Sequence, residues 1–320
     1  MFGYIHHYFP DGEEKKSGLG RYYEALRADV KGRGDVEFFG LDLHRAENTK
    51  RNFLEFFQWA KAGWKNTAVG CCDLIPLLDD EFSDSRDMFQ SHFNGFKAMD
   101  MVMTCSEWVK QTMVDMLHIP AERIQVQLLG FDHELFRPLD WTAAQKLAWR
   151  IQHGINTDAT VFGHVSYAYP RKNIRRILEA MKDFPDAVFV KVGRDETTMR
   201  MAEEMNLQKR VIVLPFLSEM ELVGFYNAID VFVFPSLIEG FGLPPLEAAA
   251  CGCRVVGSGT TALDEVLSPH DIRVMNPYSV DEIGEGMAIA AGLGRPVPDQ
   301  NHLAKFNWRN TSRAVGDWLS

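Results

Sequence analysis

What this chain lacks narrows its function before any motif is read. No apolar run approaches the ~20 residues that cross a bilayer. The opening residues, MFGYIHHYFPDGEEKK, hold no apolar stretch of the kind a secretion signal needs, so a cytoplasmic protein is expected. Positive charge is scarce: 34 Lys and Arg stand against 44 Asp and Glu, a net charge of −10. Phosphate-backbone contacts need a basic field, which argues against nucleic acid as a partner. The five cysteines are an odd number, and neither Cys71-Cys72 nor Cys251-x-Cys253 has zinc-finger or thioredoxin spacing, so they read as buried reduced thiols. There is no low-complexity segment and no short-period repeat.

What is present is an ordinary globular composition, 46% hydrophobic and 24% charged over 320 residues, enough for two domains with separate cores. Strand-like and helix-like segments alternate along nearly the whole chain, the pattern of parallel sheets covered by helices. Candidate strands are FGYIHH, VEFFGL, TAVGCC, DMVMT and IQVQL, then TVFGHV, AVFVKVG, RVIVL, DVFVF and RVVGS. Helical patterns fall near residues 19–28, 51–62, 87–98 and 107–117, the last behind a Ser106 cap. Ser218 with Glu221, and Ser279 with Glu282, form capping-box patterns. The non-periodic LLGFDHELFRPLDWT reads as a linker between the halves. The spacing predicts an α/β protein of two doubly wound, Rossmann-like domains, residues 1–137 and 138–306. Residues 307–320 are a terminal helix with Val315, Trp318 and Leu319 on its apolar side. Such sheets bind ligands at the carboxyl ends of their strands, and two of them facing each other make a cleft.

The segment FPSLIEGFGLPPLEAAACG, Phe234 to Gly252, is the most informative in the chain. Four apolar residues, Val231 to Phe234, read as a strand covered on both faces. Gly240 and Gly242 then let backbone approach a ligand. Pro244 and Pro245 stand where a helix starts, and LEAAA continues it. Amides at that start, from Gly242 and Leu243 onward, together with the helix dipole, suit a phosphate. Glu239 and Glu247 cannot bind phosphate and so should face hydroxyls. Phosphate and hydroxyls held together point to a sugar nucleotide.

Glu239 and Glu247, with seven residues between them, resemble the E-x7-E signature of retaining glycosyltransferases of family 4, which have the GT-B fold. The resemblance implies that Glu239 contacts the donor sugar and Glu247 the ribose. It extends along most of the chain. TCSEWVKQTMVDMLHIPAERIQVQLLGFDHELFRP is similar to the family's end of the first domain, and YPRKNIRRILEAM to the opening of the nucleotide domain. FNWRN is similar to the tryptophan-bearing tail, whose helix crosses back onto the first domain. The implied activity moves a sugar from a UDP-, GDP- or ADP-sugar to the hydroxyl of an acceptor glycan or glycolipid. A nucleotide-sugar epimerase of the same fold, or a silent binding module, remains an alternative.

Other residues follow from that resemblance. Arg171 and Lys172 would neutralise the departing diphosphate, Lys172 matching the family's basic residue more closely; a solvated surface pair is the bland alternative. Many members have Gly-Arg where this chain has Gly163-His164, and neutral His164 would clamp the diphosphate more weakly. SGLGRYYEAL resembles the family's glycine loop over the donor, with Gly18 and Gly20 allowing close approach. A dinucleotide fingerprint with Asp42 as its acid fails there, because Tyr23 occupies the third glycine position. In CCDLIPL, Cys72 stands where related enzymes often carry a histidine. Cys72 itself, Asp73, and His6 or His7 are the candidate acceptor-side groups, with plain strand-end histidines as the bland alternative for the last two. RNFLEFFQWAKAGWK places aromatic residues on one helical face, which suits core packing or a peripheral membrane contact. The sequence has no Asp-x-Asp pair to hold a diphosphate through a metal, so no obligatory metal or other cofactor is expected.

Overall fold

The computed structural model describes residues 2–8, 36–42, 62 and 66–310, except 156, 157 and 194, with the backbone alone considered for 2–8, 36–42 and 66. Gly18, Gly20, all of the 51–65 stretch but Ala62, and the terminal residues Val315, Trp318 and Leu319 lie outside the described residues. The chain divides into two compact units: Met1–Gly130 with Lys305–Ser320, and Phe131–Ala304.

The first unit holds a five-stranded sheet of β1 (Phe2–Tyr8), β2 (Val36–Asp42), β3 (Asn66–Gly70), β4 (Met101–Thr104) and β5 (Ile124–Val126). Every pairing is parallel and the spatial order is β2-β1-β3-β4-β5. Parallel neighbours need crossovers, and α1 (Ile75–Leu78), α2 (Arg86–Asn94) and α3 (Glu107–Thr112) supply the described ones. Ser106 caps α3 by accepting from the Val109 amide at 3.2 Å. The expected helix to Leu117 changes at Met113 into a π-helical turn, which ends at left-handed His118. Val69, Val102, Phe93, Phe96, Met113 and Leu117 form the core. Gly130 closes the unit against the chain's return, since a Cβ there would lie 2.3 Å from the Trp308 backbone nitrogen.

The second unit is a six-stranded parallel sheet: β6 (Val161–Val165), β7 (Val188–Val192), β8 (Val211–Leu214), β9 (Val231–Phe234), β10 (Arg254–Ser258) and β11 (Ile272–Val274). The order β11-β10-β9-β6-β7-β8 reverses direction between β6 and β9, which makes that gap the switch point where doubly wound sheets bind ligands. Its described helices are α4 (Ala143–Gln152), α5 (Ile174–Ala180), α6 (Glu196–Glu204), α7 (Glu219–Ala228), α8 (Leu243–Ala250), α9 (Leu263–Val266), α10 (Val280–Leu293) and α11 (Gln300–Leu303). β9 is buried at every position, and burial of each of its two phenylalanines contributes about 1.5–3 kcal/mol. Gly163 lets α7 sit close on β6: a Cβ there would come within 2.4 Å of Ile229 Cδ1.

One carboxylate aligns the two strands of the switch point. Asp230, just before β9, accepts from the Val161 amide at 2.8 Å and pairs with Arg150 at 2.7 Å and Lys146 at 2.5 Å. Burial pushes this carboxyl up, but the two cations more than offset it and hold it below its ordinary value. Ser218 and Glu221 make the expected reciprocal box at α7. Ser279 caps α10, but Glu282 does not complete its box. Its carboxylate accepts instead from the Met275 and Asn276 amides, at 2.9 and 2.7 Å, and so fixes the turn after β11. Among the described residues no helix is long and apolar enough to cross a membrane.

Candidate active site

The site forms where the chain leaves β6 and β9. After β6, a 3-10 turn over Pro170–Lys172 ends at Asn173, whose φ of 63° is left-handed. Asparagine tolerates that conformation better than most residues. Buried Asn173 then donates through Nδ2 to the carbonyls of Pro235 and Pro277, at 2.9 and 2.6 Å. The Leu237 amide donates to the Arg171 carbonyl at 2.8 Å. The turn after β6 and the loop after β9 are thereby held together.

That closure brings Arg171, Lys172 and Glu239 into one cluster. Lys172 Nζ lies 2.5 Å from Glu239 Oε1, and an Arg171 guanidinium nitrogen 3.5 Å from the same oxygen. All three are largely buried, with side chains 15%, 13% and 10% exposed for Arg171, Lys172 and Glu239. Lys172 also sits over the Phe234 ring at 4.9 Å, and Arg171 over the Tyr169 ring at 5.4 Å. Two cations against one carboxylate leave the cluster with a net positive charge.

Beside it, α8 begins at Gly242, whose φ of +126° suits glycine alone, and a Cβ there would lie 2.5 Å from Leu263 Cδ2. Pro244 and Pro245 carry no N–H, so the helix start offers fewer amide donors than its sequence position implies. The Gly242 and Leu243 amides donate to no acceptor among the described residues. Glu247 is 2% exposed and accepts from the Tyr226 hydroxyl at 3.0 Å.

His164 requires a correction. It is fully buried, and both ring nitrogens are occupied, by the Val233 carbonyl and by Ser166 Oγ, each at 2.7 Å. A carbonyl only accepts, so Nδ1 carries the proton and Nε2 accepts from Ser166. Burial, with the Lys191 charge, pushes the imidazole down to about 3. His164 is therefore neutral and reaches a ligand only through Ser166, not directly as the sequence suggested. Lys191 was not anticipated as part of this region. Its side chain is fully buried in β7 and pairs with Asp195, the cap of α6. Burial holds the ammonium below its ordinary value. A lysine inside the apolar run AVFVKVG was the available signal.

In the first unit, the order β2-β1-β3-β4-β5 puts the switch point between β1 and β3. The backbone of His7 lies in β1, and Cys72 and Asp73 follow β3. Asp73 accepts from the Ile75 amide at 3.1 Å, just before α1, and Cys105 Sγ donates to the Cys72 carbonyl at 3.0 Å. All five cysteines are free thiols; Cys71, Cys105, Cys251 and Cys253 are buried and Cys72 half-buried. Burial pushes the Cys71 and Cys105 thiols well up. Among the described residues no three potential metal ligands come together.

The sequence model of the glycosyl transferases group 1 family matches residues 145–292, which span the β6 turn, Glu239 and Glu247. The chain carries a group 1 glycosyl transferase segment over these residues. It is 30% identical over 275 residues to the serotype-specific mannosyltransferase WbdA of Escherichia coli, covering 78% of this chain and 32% of that protein. It is 27% identical over 245 residues to a D-inositol 3-phosphate glycosyltransferase of Mycobacterium ulcerans, covering 69% and 51% respectively. The chain thus spans only about a third to a half of these relatives. Among solved structures, sucrose-phosphate synthase from Thermosynechococcus elongatus superposes with a TM-score of 0.76 at 17% identity, over 100% of this chain and 98% of that one. HepE of Anabaena, solved with UDP-glucose, gives 0.74 at 18% identity, over 99% of each chain. The fold of this chain is therefore GT-B.

Proposed function

We propose that this protein is a retaining glycosyltransferase that moves a hexose from a nucleoside diphosphate sugar to an acceptor hydroxyl. The observation that carries the reading is Glu239, buried at the switch point with both Lys172 and Arg171 on one of its oxygens. In transfer, the acceptor oxygen bonds to the anomeric carbon and the bond from that carbon to the β-phosphate oxygen breaks. The hydroxyl proton leaves with the departing diphosphate. Lys172, Arg171 and the unbonded amides at Gly242 and Leu243 oppose the charge that develops there. Glu239, partly released from its cations, faces the sugar hydroxyls, and Glu247 with Tyr226 faces the ribose. The second unit binds the donor and the first the acceptor, a glycan or glycolipid. Cationic side chains take the place of a metal.

Similarity to a mannosyltransferase makes mannose donors the first to test. Screening UDP-, GDP- and ADP-sugars by thermal shift should raise the melting temperature for one base, because a ligand bound only by the folded state stabilises it. Product NMR with that donor should then show the donor's anomeric configuration retained. No shift with any nucleotide sugar would end the proposal; an inverted product would end its stereochemical half.

A further inference from the structure

An unbonded hydroxyl on a backbone that threonine resists stands at Thr261, two residues before Leu263, which packs against Gly242 at the start of α8. β10 ends at Ser258, whose Oγ donates to the Ser236 carbonyl at 2.6 Å, so the ends of β9 and β10 are tied together three residues before Glu239. The chain then turns through Gly259, and its next helix brings Leu263 against Gly242. Within this loop Thr261 has a φ of 57°. A β-branched residue is a true outlier in the left-handed region, where glycine sits without strain. Thr261 Oγ1 is also buried and without a hydrogen-bond partner. Ser236, fully buried at the end of β9, has an unbonded Oγ as well. Buried polar groups are rarely left so, and strained conformations persist where a site over-determines them.

Resting on the donor-site reading above, we infer that Thr261 is a donor-binding residue whose hydroxyl donates to the β-phosphate of the bound nucleotide. The loop meets the helix start at Gly242, where amides are unbonded, and not the hydroxyl-facing end at Glu239. The expected acceptor is therefore a phosphate oxygen and not a sugar hydroxyl. An oxygen placed there would bond the buried hydroxyl and offset the cost of holding a threonine in this conformation. Glycine would relax the backbone but supply no donor.

The test is calorimetry of Thr261→Val, Thr261→Ser and Thr261→Gly in the full chain, with UDP, GDP and ADP and their monophosphates, beside melting temperatures without ligand. Thr261→Val should weaken the diphosphate about tenfold, the usual worth of a hydrogen bond to a charged group, and leave the monophosphate unchanged. Thr261→Ser should stay within about threefold of the parent, since it keeps the donor. Thr261→Gly should melt higher than the parent yet bind the diphosphate as weakly as the valine variant, which keeps the inference testable if valine fails to fold. Parental diphosphate affinity in the valine or glycine variant would overturn the role of Thr261 alone. Equal losses for monophosphate and diphosphate would overturn the β-phosphate assignment. A parent protein that binds none of the three diphosphates would overturn the donor site itself.

Discussion

Lys172 Nζ sits 2.5 Å from Glu239 Oε1 across 67 positions of sequence, joining the turn after β6 to the loop after β9. Without ligand, the carboxylate expected to hold the sugar thus occupies the ammonium expected to hold the diphosphate. Binding must divide the pair.

Substitution of the two partners should therefore give opposite results in nucleotide binding. Glu239→Gln frees both cations, so a sugar-free nucleoside diphosphate should bind at least as tightly as to the parent. Transfer should fall on the order of hundredfold, the usual loss on removing one electrostatic contact to the reacting group. Lys172→Ala should weaken both binding and turnover, and turnover more. Calorimetry beside single-turnover rates separates the two, and a Glu239→Gln variant that transfers at the parental rate would place the chemistry elsewhere.

The Glu239–Lys172 pair shows how far the sequence could be read. Glu239, Gly242 and Glu247 were legible because their chemistry is local, a strand, a glycine loop and a helix start within about twenty residues of chain. Lys172 and Arg171, the partners of Glu239, were named as well, but the groups that hold these segments in place across the sheet were not. Tyr226 comes from the helix before β9 and Asn173 from the turn after β6, and only the sheet order brings them in. The same limit hid the setting of His164: a strand-end histidine reads alike whether its ring is free or bonded on both sides. Ten strands showed as apolar runs. β11 did not, because its three residues, Ile272, Arg273 and Val274, are interrupted by a charge that turns outward to Asp264 at 2.7 Å.

Glu247 and Tyr226 should act together on the ribose. Glu247→Ala should weaken nucleotide binding by roughly ten- to hundredfold, the range for a hydrogen bond to a charged group. Tyr226→Phe should cost less, since it removes only the donor that orients the carboxylate. If Glu247→Ala binds the nucleotide as the parent does while keeping its fold, the ribose lies elsewhere.

Chelation should leave transfer intact, because Arg171 and Lys172 supply the positive charge that a metal would otherwise bring. Rates before and after EDTA, then with magnesium or manganese added back, decide it. Abolition by EDTA with recovery on adding metal would contradict this.

Acid should destabilise the fold partly through His164. Its folded value, about 3, is depressed below the ordinary histidine value of about 6.5, so between those limits the unfolded chain binds a proton that the folded one does not. Stability from this residue is then fully present above about pH 6.5 and is lost as pH falls towards 3, with a slope approaching about 1.4 kcal/mol per pH unit. Between pH 6 and 5 most carboxylates are still ionised, and comparison with a His164 variant separates this residue from the other nine histidines. Denaturant unfolding in that window should show a steep fall for the parent and a shallower one for His164→Gln, whose amide does not titrate. The variant should be less stable at pH 7.5, where its poorer fit to Val233 and Ser166 dominates, and the gap should narrow on acidification. A gap that stays constant between pH 7.5 and 5 would mean that His164 titrates as an exposed imidazole does, and that the neutral bridge between Val233 and Ser166 does not form.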